Sequence, residues 1–206
     1  MGIQSRHELE YFLAADRFAL GRDRSRPCFY DQVWKFQIFL RCVEFYSGQS
    51  GVLSSLLLFY FKFRKLRLAH SLGFDIPPDV FGPGLRINHF GNVVVNVNAR
   101  IGAWCDIHQG VNVGVDFDGG VPVVGDNAWI GPGAKLYGPI SIGSGVVIGA
   151  NAVVNKSFGS AVTVAGVPAK VIRGEGTEVL DVAASKRRAV LFYSLHPEYA
   201  VFQVGG

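Results

Sequence analysis

The 206-residue sequence predicts a mainly β fold, a parallel β-solenoid of about four three-sided coils preceded by an α-helical extension. Three observations predict it. From Val124, aliphatic residues recur at every sixth position through Ile130, Leu136, Ile142, Ile148 and Val154. The same step joins Val95, Ile101, Ile107 and Val113. Residues 1–73 lack that step and carry helix start and stop signals instead.

A six-residue period matches neither an α-helix nor a free strand. In a solenoid each hexad makes one short strand and one turn. The aliphatic residue points inward, and the residue four positions on packs beside it. Here those positions hold Ala128, Ala134, Ile140, Val146 and Ala152, all small or aliphatic. Gly and Asn after the strands supply the positive φ of the turns. Three hexads close one triangular coil, so about four coils fit between residues 78 and 160. The stretch GVDFDGGVP (114–122) breaks the phase and is expected to be a loop.

The first part divides into three helices. Ser5-Arg6-His7-Glu8 has capping-box spacing before an apolar-periodic segment. GRDRSRP (21–27) ends that helix, and Asp31 is expected to cap the next. Ser50 or Gly51 starts a third, ending near Gly73. The division predicted is a helical region at 1–73, a solenoid at 74–174 and a tail at 175–206. Within the tail, SKRRAVLFYSL reads as a helix packed on the body or as a membrane-adjacent segment.

A net charge of +4 and basic clusters at 61–70, 167–173 and 185–188 suit an anionic ligand or surface. No nucleic-acid motif accompanies them, so no nucleic-acid partner is expected. Three scattered cysteines without a CxxC pair fit reduced thiols, so the expected location is cytoplasmic. GVLSSLLLFYF (51–61) is too short to span a bilayer. The crowded Lys62, Arg64, Lys65 and Arg67 suit a solvated helix face or peripheral contact with the inner membrane surface.

The stretches FDIPPDVFGPGLRINHFG (74–91), IHQGVNVG (107–114), VPVVGDNAWIGPGAKLYG (121–138), IGANAVV (148–154) and AGVPAKVIRG (165–174) carry a further likeness. They resemble the left-handed β-helix hexapeptide-repeat acyltransferases, and among them serine O-acetyltransferases. The likeness is nearer to the serine-acetyltransferase-like enzymes of polysaccharide biosynthesis. The resemblance supplies the left hand of the helix. It implies a homotrimer that binds acetyl-CoA as co-substrate between neighbouring subunits.

It also implies site residues. His89 stands where those enzymes have their general base, and Asp75 where an aspartate pairs with it; Asp79 is the alternative. Counting hexads back from Val95 puts His89 in an aliphatic slot, where an unpartnered polar ring is destabilising. Either the register shifts there or a specific acceptor holds the ring. His108, one coil on, is a candidate to hold the acceptor, or else a wall residue. On the acetyl-CoA side the family pattern maps onto Pro132 and Ala150 for pantetheine. Lys156, Lys170 and Arg173 are candidates for the phosphates.

The match to the serine enzymes breaks at two places. Their Asp-His-Ala-Thr-Gly is Asn88-His89-Phe90-Gly91-Asn92 here, so the acid that would meet an amino group is missing. Their Arg-His-Pro segment is Gly120-Val121-Pro122, so Val121 replaces a functional histidine. Asn88, Asn92, His108, Asp116 and Asp118 can hydrogen-bond a carbohydrate instead. The expected acceptor is therefore a sugar or polysaccharide precursor, with L-serine as the alternative and a non-catalytic scaffold as the alternative of another class. A zinc site of three converging histidines has only His89 and His108 in the solenoid to draw on, and no metal is expected.

Overall fold

The structure, a computed structural model, describes residues 2–177 and 185–203. Three helices come first: α1 (Arg6–Ala19), α2 (Gln32–Ser47) and α3 (Val52–Leu72). The capping box at α1 forms as predicted. Glu8 N–H donates to Ser5 Oγ at 3.1 Å, and Ser5 N–H donates to Glu8 Oε2 at 3.0 Å. Asp31 precedes α2 but does not cap it. Its carboxylate accepts from Cys28 N–H at 2.8 Å and faces Arg22 and Arg24, so the local loop takes the oxygens a cap would use. Gly73 ends α3 with φ at +74°, a conformation that favours glycine.

The remainder winds into a three-sided parallel β-helix. One side stacks β1 (Phe74–Asp75), β3 (Val93–Val95), β6 (Asn112–Gly114), β9 (Lys135–Tyr137) and β12 (Val153–Val154). The second stacks β4 (Arg100–Ile101), β7 (Val123–Val124) and β10 (Ser141–Ile142), with Phe81 and Phe158 bridging at its two ends. The third stacks β2 (Arg86–Ile87), β5 (Asp106–Ile107), β8 (Trp129–Ile130), β11 (Val147–Ile148) and β13 (Thr163–Ala165), with β14 (Lys170–Arg173) antiparallel to the last. Five parallel strands on two sides make about five coils, one more than the sequence count. The additional coil is the first, where Ile76 and Phe81 take the inward slots only five residues apart and hide the hexad step.

Inside, the predicted aliphatics form continuous ladders. Ile87, Ile107, Ile130, Ile148 and Val164 stack on one side, all fully buried. Val95, Val113, Leu136 and Val154 stack on another. Each such side chain taken from water is worth about 1.5–3 kcal/mol. Hexad spacing holds along almost the whole path, and its departures are local. Ile87 to Val95 takes eight residues rather than six, Val113 to Val124 takes eleven, and Val154 to Phe158 takes four.

A buried ionic cluster fastens the helices to the first coil. Arg41, fully buried on α2, donates to Asp16 of α1 at 2.8 Å, to Glu44 at 3.0 Å, and to the carbonyls of Phe81 and Gly82. The carboxylates continue outward: Asp16 accepts from Leu85 N–H and Glu44 from Asp79 N–H, each at 2.9 Å. Burial opposes the charge on Arg41, but Asp16 and Glu44 outweigh it and hold its pKa above the ordinary value.

The tail segment SKRRAVLFYSL forms α4 (Ser185–Leu195), the packing helix allowed by the sequence. Its Phe192 is fully buried among Tyr11, Phe18 and Trp104, and Arg188 meets the buried Asp106 carboxylate. The parts of the predicted tail at 178–184 and 204–206 lie outside the described residues.

Replacing Arg41 with Met would leave two buried carboxylates without a counter-charge. We expect Arg41→Met to lose about 3–5 kcal/mol of stability, read as a lower urea midpoint at unchanged slope.

Candidate active site

The eight-residue step between Ile87 and Val95 sets the candidate site. Ile87, not His89, occupies the inward slot. The two additional residues push Asn88–Asn92 out as a wider corner between the third side and the first, and His89 lies exposed on it. This corrects the aliphatic-slot count: the register shifts, and the ring avoids burial. Gly91 makes the bend possible. Its φ is +129°, and a Cβ there would stand 3.0 Å from Cβ of Gln109.

Every coil turns the same corner, so equivalent positions form columns. Two residues past each inward isoleucine come His89, Gln109, Pro132 and Ala150. With coils spaced like strands in a sheet, at about 4.8 Å, this column is about 14 Å long. It starts at an imidazole and ends at small residues. Its turns are tight: a Cβ on Gly133, at φ +74°, would lie 2.1 Å from Asn151 Oδ1. One residue earlier, Asn88 and His108 occupy neighbouring coils, and Asn88 N–H donates to Ile107 O at 3.0 Å.

His108 is fixed. Its Nδ1 is 2.9 Å from Ile130 O, and its ring packs on Trp129 with centroids 4.7 Å apart. A carbonyl only accepts, so Nδ1 carries the proton and the neutral ring presents Nε2 as an acceptor. Burial, together with the charges of His89 and Arg86, lowers its pKa, against the opposing pull of the Ile130 bond and Asp106. His89 is thus close enough to act on His108 electrostatically. The corner also holds two unpaired buried amide atoms, Asn88 Nδ2 and Gln109 Oε1. Buried polar atoms without partners are uncommon in folded proteins and mark places where a ligand can supply the missing bonds.

Not every predicted residue joins this corner. Asp75 is exposed on β1 beside Val94, and its charge acts on Lys65 of α3. Asp79 follows β1, with its amide committed to Glu44. Within the chain no hydrogen bond joins either aspartate to His89 among the described residues. Asn92 is exposed at the far end of the wide corner. Asp118, with its N–H donating to Asp116 Oδ1 at 3.1 Å, lies in the 114–122 loop between the first side and the second, a different corner. Lys156 is on that same other corner, its ammonium over the Phe158 ring. Lys170 and Arg173 are exposed on β14, where Lys170 pairs with Ala165 at the last coil's end of the His89 corner. Gln109 and Trp129 were not anticipated. Gln109 follows Ile107 at the offset by which His89 follows Ile87, the signal that would have found it. Among the described residues no cluster of His, Cys, Asp and Glu forms a metal site.

Residues 122–156, within the coils that build these ladders, match the family described as "Bacterial transferase hexapeptide (six repeats)". A serine acetyltransferase of Staphylococcus xylosus is 35% identical over 153 residues, covering 68% of this chain and 71% of that protein. One from Mycobacterium tuberculosis is 44% identical over 104 residues, 48% of this chain and 45% of its own length. The serine acetyltransferase structure from Brucella abortus superimposes with a TM-score of 0.65 at 29% identity, over 82% of this chain and 71% of that one. The chain belongs to the serine acetyltransferase family, and its fold is the left-handed β-helix of those acyltransferases. It spans about half the length of the first curated relatives it matches, 45% and 46%. These relatives lend no support to the polysaccharide-biosynthesis subtype suggested by the sequence.

The lowered His108 pKa has a consequence for stability. The folded chain favours the neutral ring, so below pH 6.5 the unfolded chain takes up that proton first. The ring's contribution is complete above pH 6.5 and is lost as pH falls through its folded pKa. We expect its NMR titration midpoint below 6.5, and a shallower acid-side loss of stability in His108→Gln.

Proposed function

We propose that the chain is an acetyl-CoA-dependent O-acetyltransferase with His89 as its general base. The observation that carries this is the wide corner, which sets an exposed imidazole at the foot of a column of small residues, beside a fixed neutral His108. The neutral His89 ring takes the hydroxyl proton as the acceptor oxygen attacks the thioester carbonyl. The tetrahedral intermediate then expels the coenzyme A thiolate, which recovers the proton from the imidazolium. General-base assistance of this kind contributes typically 10²–10⁴-fold. Asp75, whose charge acts on Lys65 in this structure, remains the carboxylate we assign to His89.

Acetyl-CoA would run up the column, with pantetheine against Pro132 and Ala150 and the phosphates toward Lys170 and Arg173. A structural neighbour from Brucella abortus, 26% identical with a TM-score of 0.62, is a serine acetyltransferase in complex with coenzyme A, which supports the choice of co-substrate. Lys156 and Asp118 stand on the other corner, so they reach this column only from a neighbouring subunit. That fits a homotrimer with sites between chains.

L-Serine is the acceptor the relatives favour, giving O-acetyl-L-serine. A sugar hydroxyl is the second reading. It rests on neutral Asn88, whose buried Nδ2 offers a donor where the serine enzymes carry an acid, and on Val121 in the loop. Purified chain is to be assayed for thiol release from acetyl-CoA with L-serine and with a sugar panel. Turnover with serine supports the first reading, turnover with sugars alone supports the second, and none with either leaves a scaffold.

We expect His89→Ala to abolish transfer while leaving the assembly folded; near-normal turnover would remove His89 from the mechanism. Lys170→Ala with Arg173→Ala should raise the acetyl-CoA KM at little change in kcat. An unchanged KM would move the phosphates elsewhere.

A further inference from the structure

Helix α3 exposes more apolar surface than packing within one chain explains. Val52, Leu53, Leu56, Phe59, Tyr60, Phe63 and Leu66 are between 46% and 80% exposed, and only Ala69 and Leu72 of this helix are buried. At 100° per residue the seven fall in one stripe along the helix. Lys62 sits on one shoulder of the stripe, Arg64 on the other, and Arg67 at its C-terminal end. The guanidinium of Arg64 lies 5.1 Å from the Phe39 ring centroid and 5.7 Å from that of Tyr60. That of Arg67 lies 5.9 Å from Phe63. Residues 52–72 include no Asp or Glu. The acids that act on this helix, Asp75 and Glu44, act on Lys65, which is partly buried and away from the stripe.

We propose that α3 docks the protein on an anionic lipid surface, lying in the interface with its apolar stripe down. The charge pattern selects this occupant. Two copies paired through the stripe would bring together two helices with basic residues and no acidic ones. Anionic headgroups supply the missing counter-charge while the aromatic and aliphatic side chains enter the acyl boundary. The helix lies on the surface and does not cross it, since among the described residues no helix is long and apolar enough to span a membrane. Its basic end adjoins the candidate site: Gly91 N–H donates to Leu72 O at 2.8 Å, two residues from His89. A docked α3 therefore holds the His89 corner close to the lipid. The inference goes beyond the proposed acetyl transfer and does not depend on it.

Co-sedimentation of the full chain with phosphatidylcholine vesicles, with and without phosphatidylglycerol, tests it. The chain should pellet with the anionic vesicles, much less with the neutral ones, and less at high salt. Lys62→Glu with Arg67→Glu should weaken binding by at least about twentyfold, at about fivefold per basic residue removed. Phe59→Ser with Phe63→Ser should abolish it, with the far-ultraviolet circular dichroism unchanged in both variants. Failure of the native chain to bind anionic vesicles, or equal binding to both kinds, would overturn the proposal. So would vesicle binding unaffected by the phenylalanine changes together with a smaller assembly in solution, since a second copy would then cover the stripe. An acetyl-CoA KM raised by the charge reversals, without loss of vesicle binding, would reassign the cluster to coenzyme phosphates and also overturn it.

Discussion

The inward ladders are the constraint on which everything else in this molecule rests. Each aliphatic residue packs on its equivalents in the coils above and below, so a strand cannot slide without breaking contacts on both sides. A one-residue slip would turn the whole inward set toward solvent. The chain can therefore vary only where a ladder is not interrupted, at the corners. The two additional residues at Asn88–Asn92 and the longer loop at 114–122 are both corner insertions. The proposed site is thus placed by lengthening a turn on a scaffold whose sides are held in register.

That division explains what could be read from the sequence. Ladders declare themselves because every hexad repeats the same residue type, and the sides from Val95 to Val154 follow the count made from sequence alone. The first coil did not, because Ile76 and Phe81 fill its inward slots five residues apart and the step lengthens to eight at His89. Counting upward from Ile87 instead of back from Val95 would have placed His89, Gln109, Pro132 and Ala150 in one column. Contacts between remote segments left no periodic trace. The Arg41 cluster joins residues from α1, α2 and the first coil, and nothing in its spacing distinguishes Arg41 from a surface arginine. Asp31 failed as a cap for a related reason: two nearby arginines and a backbone amide compete for its oxygens.

The helical part is more than an appendage. Asp16 and Glu44 reach into the first coil through the amides of Leu85 and Asp79, so α1 and α2 finish the end of the β-helix with hydrogen bonds that another coil would otherwise make. Leu72 and Gly73 likewise accept from Gly91 and Val93, which ties the wide corner to the end of α3. The position of His89 thus depends on the helices as well as on the coils. The histidine proposed as general base sits at the seam between the two parts of the chain.

At the opposite end β14 runs back along β13 instead of beginning another turn. All four of its residues are exposed, with Lys170 and Arg173 among them. The reversed direction and the cation at each end of the strand oppose a second solenoid continuing the stack, even though Val171 and Ile172 between them are exposed. The charged, reversed last strand therefore works against copies of this chain lengthening into fibrils by strand addition at this end.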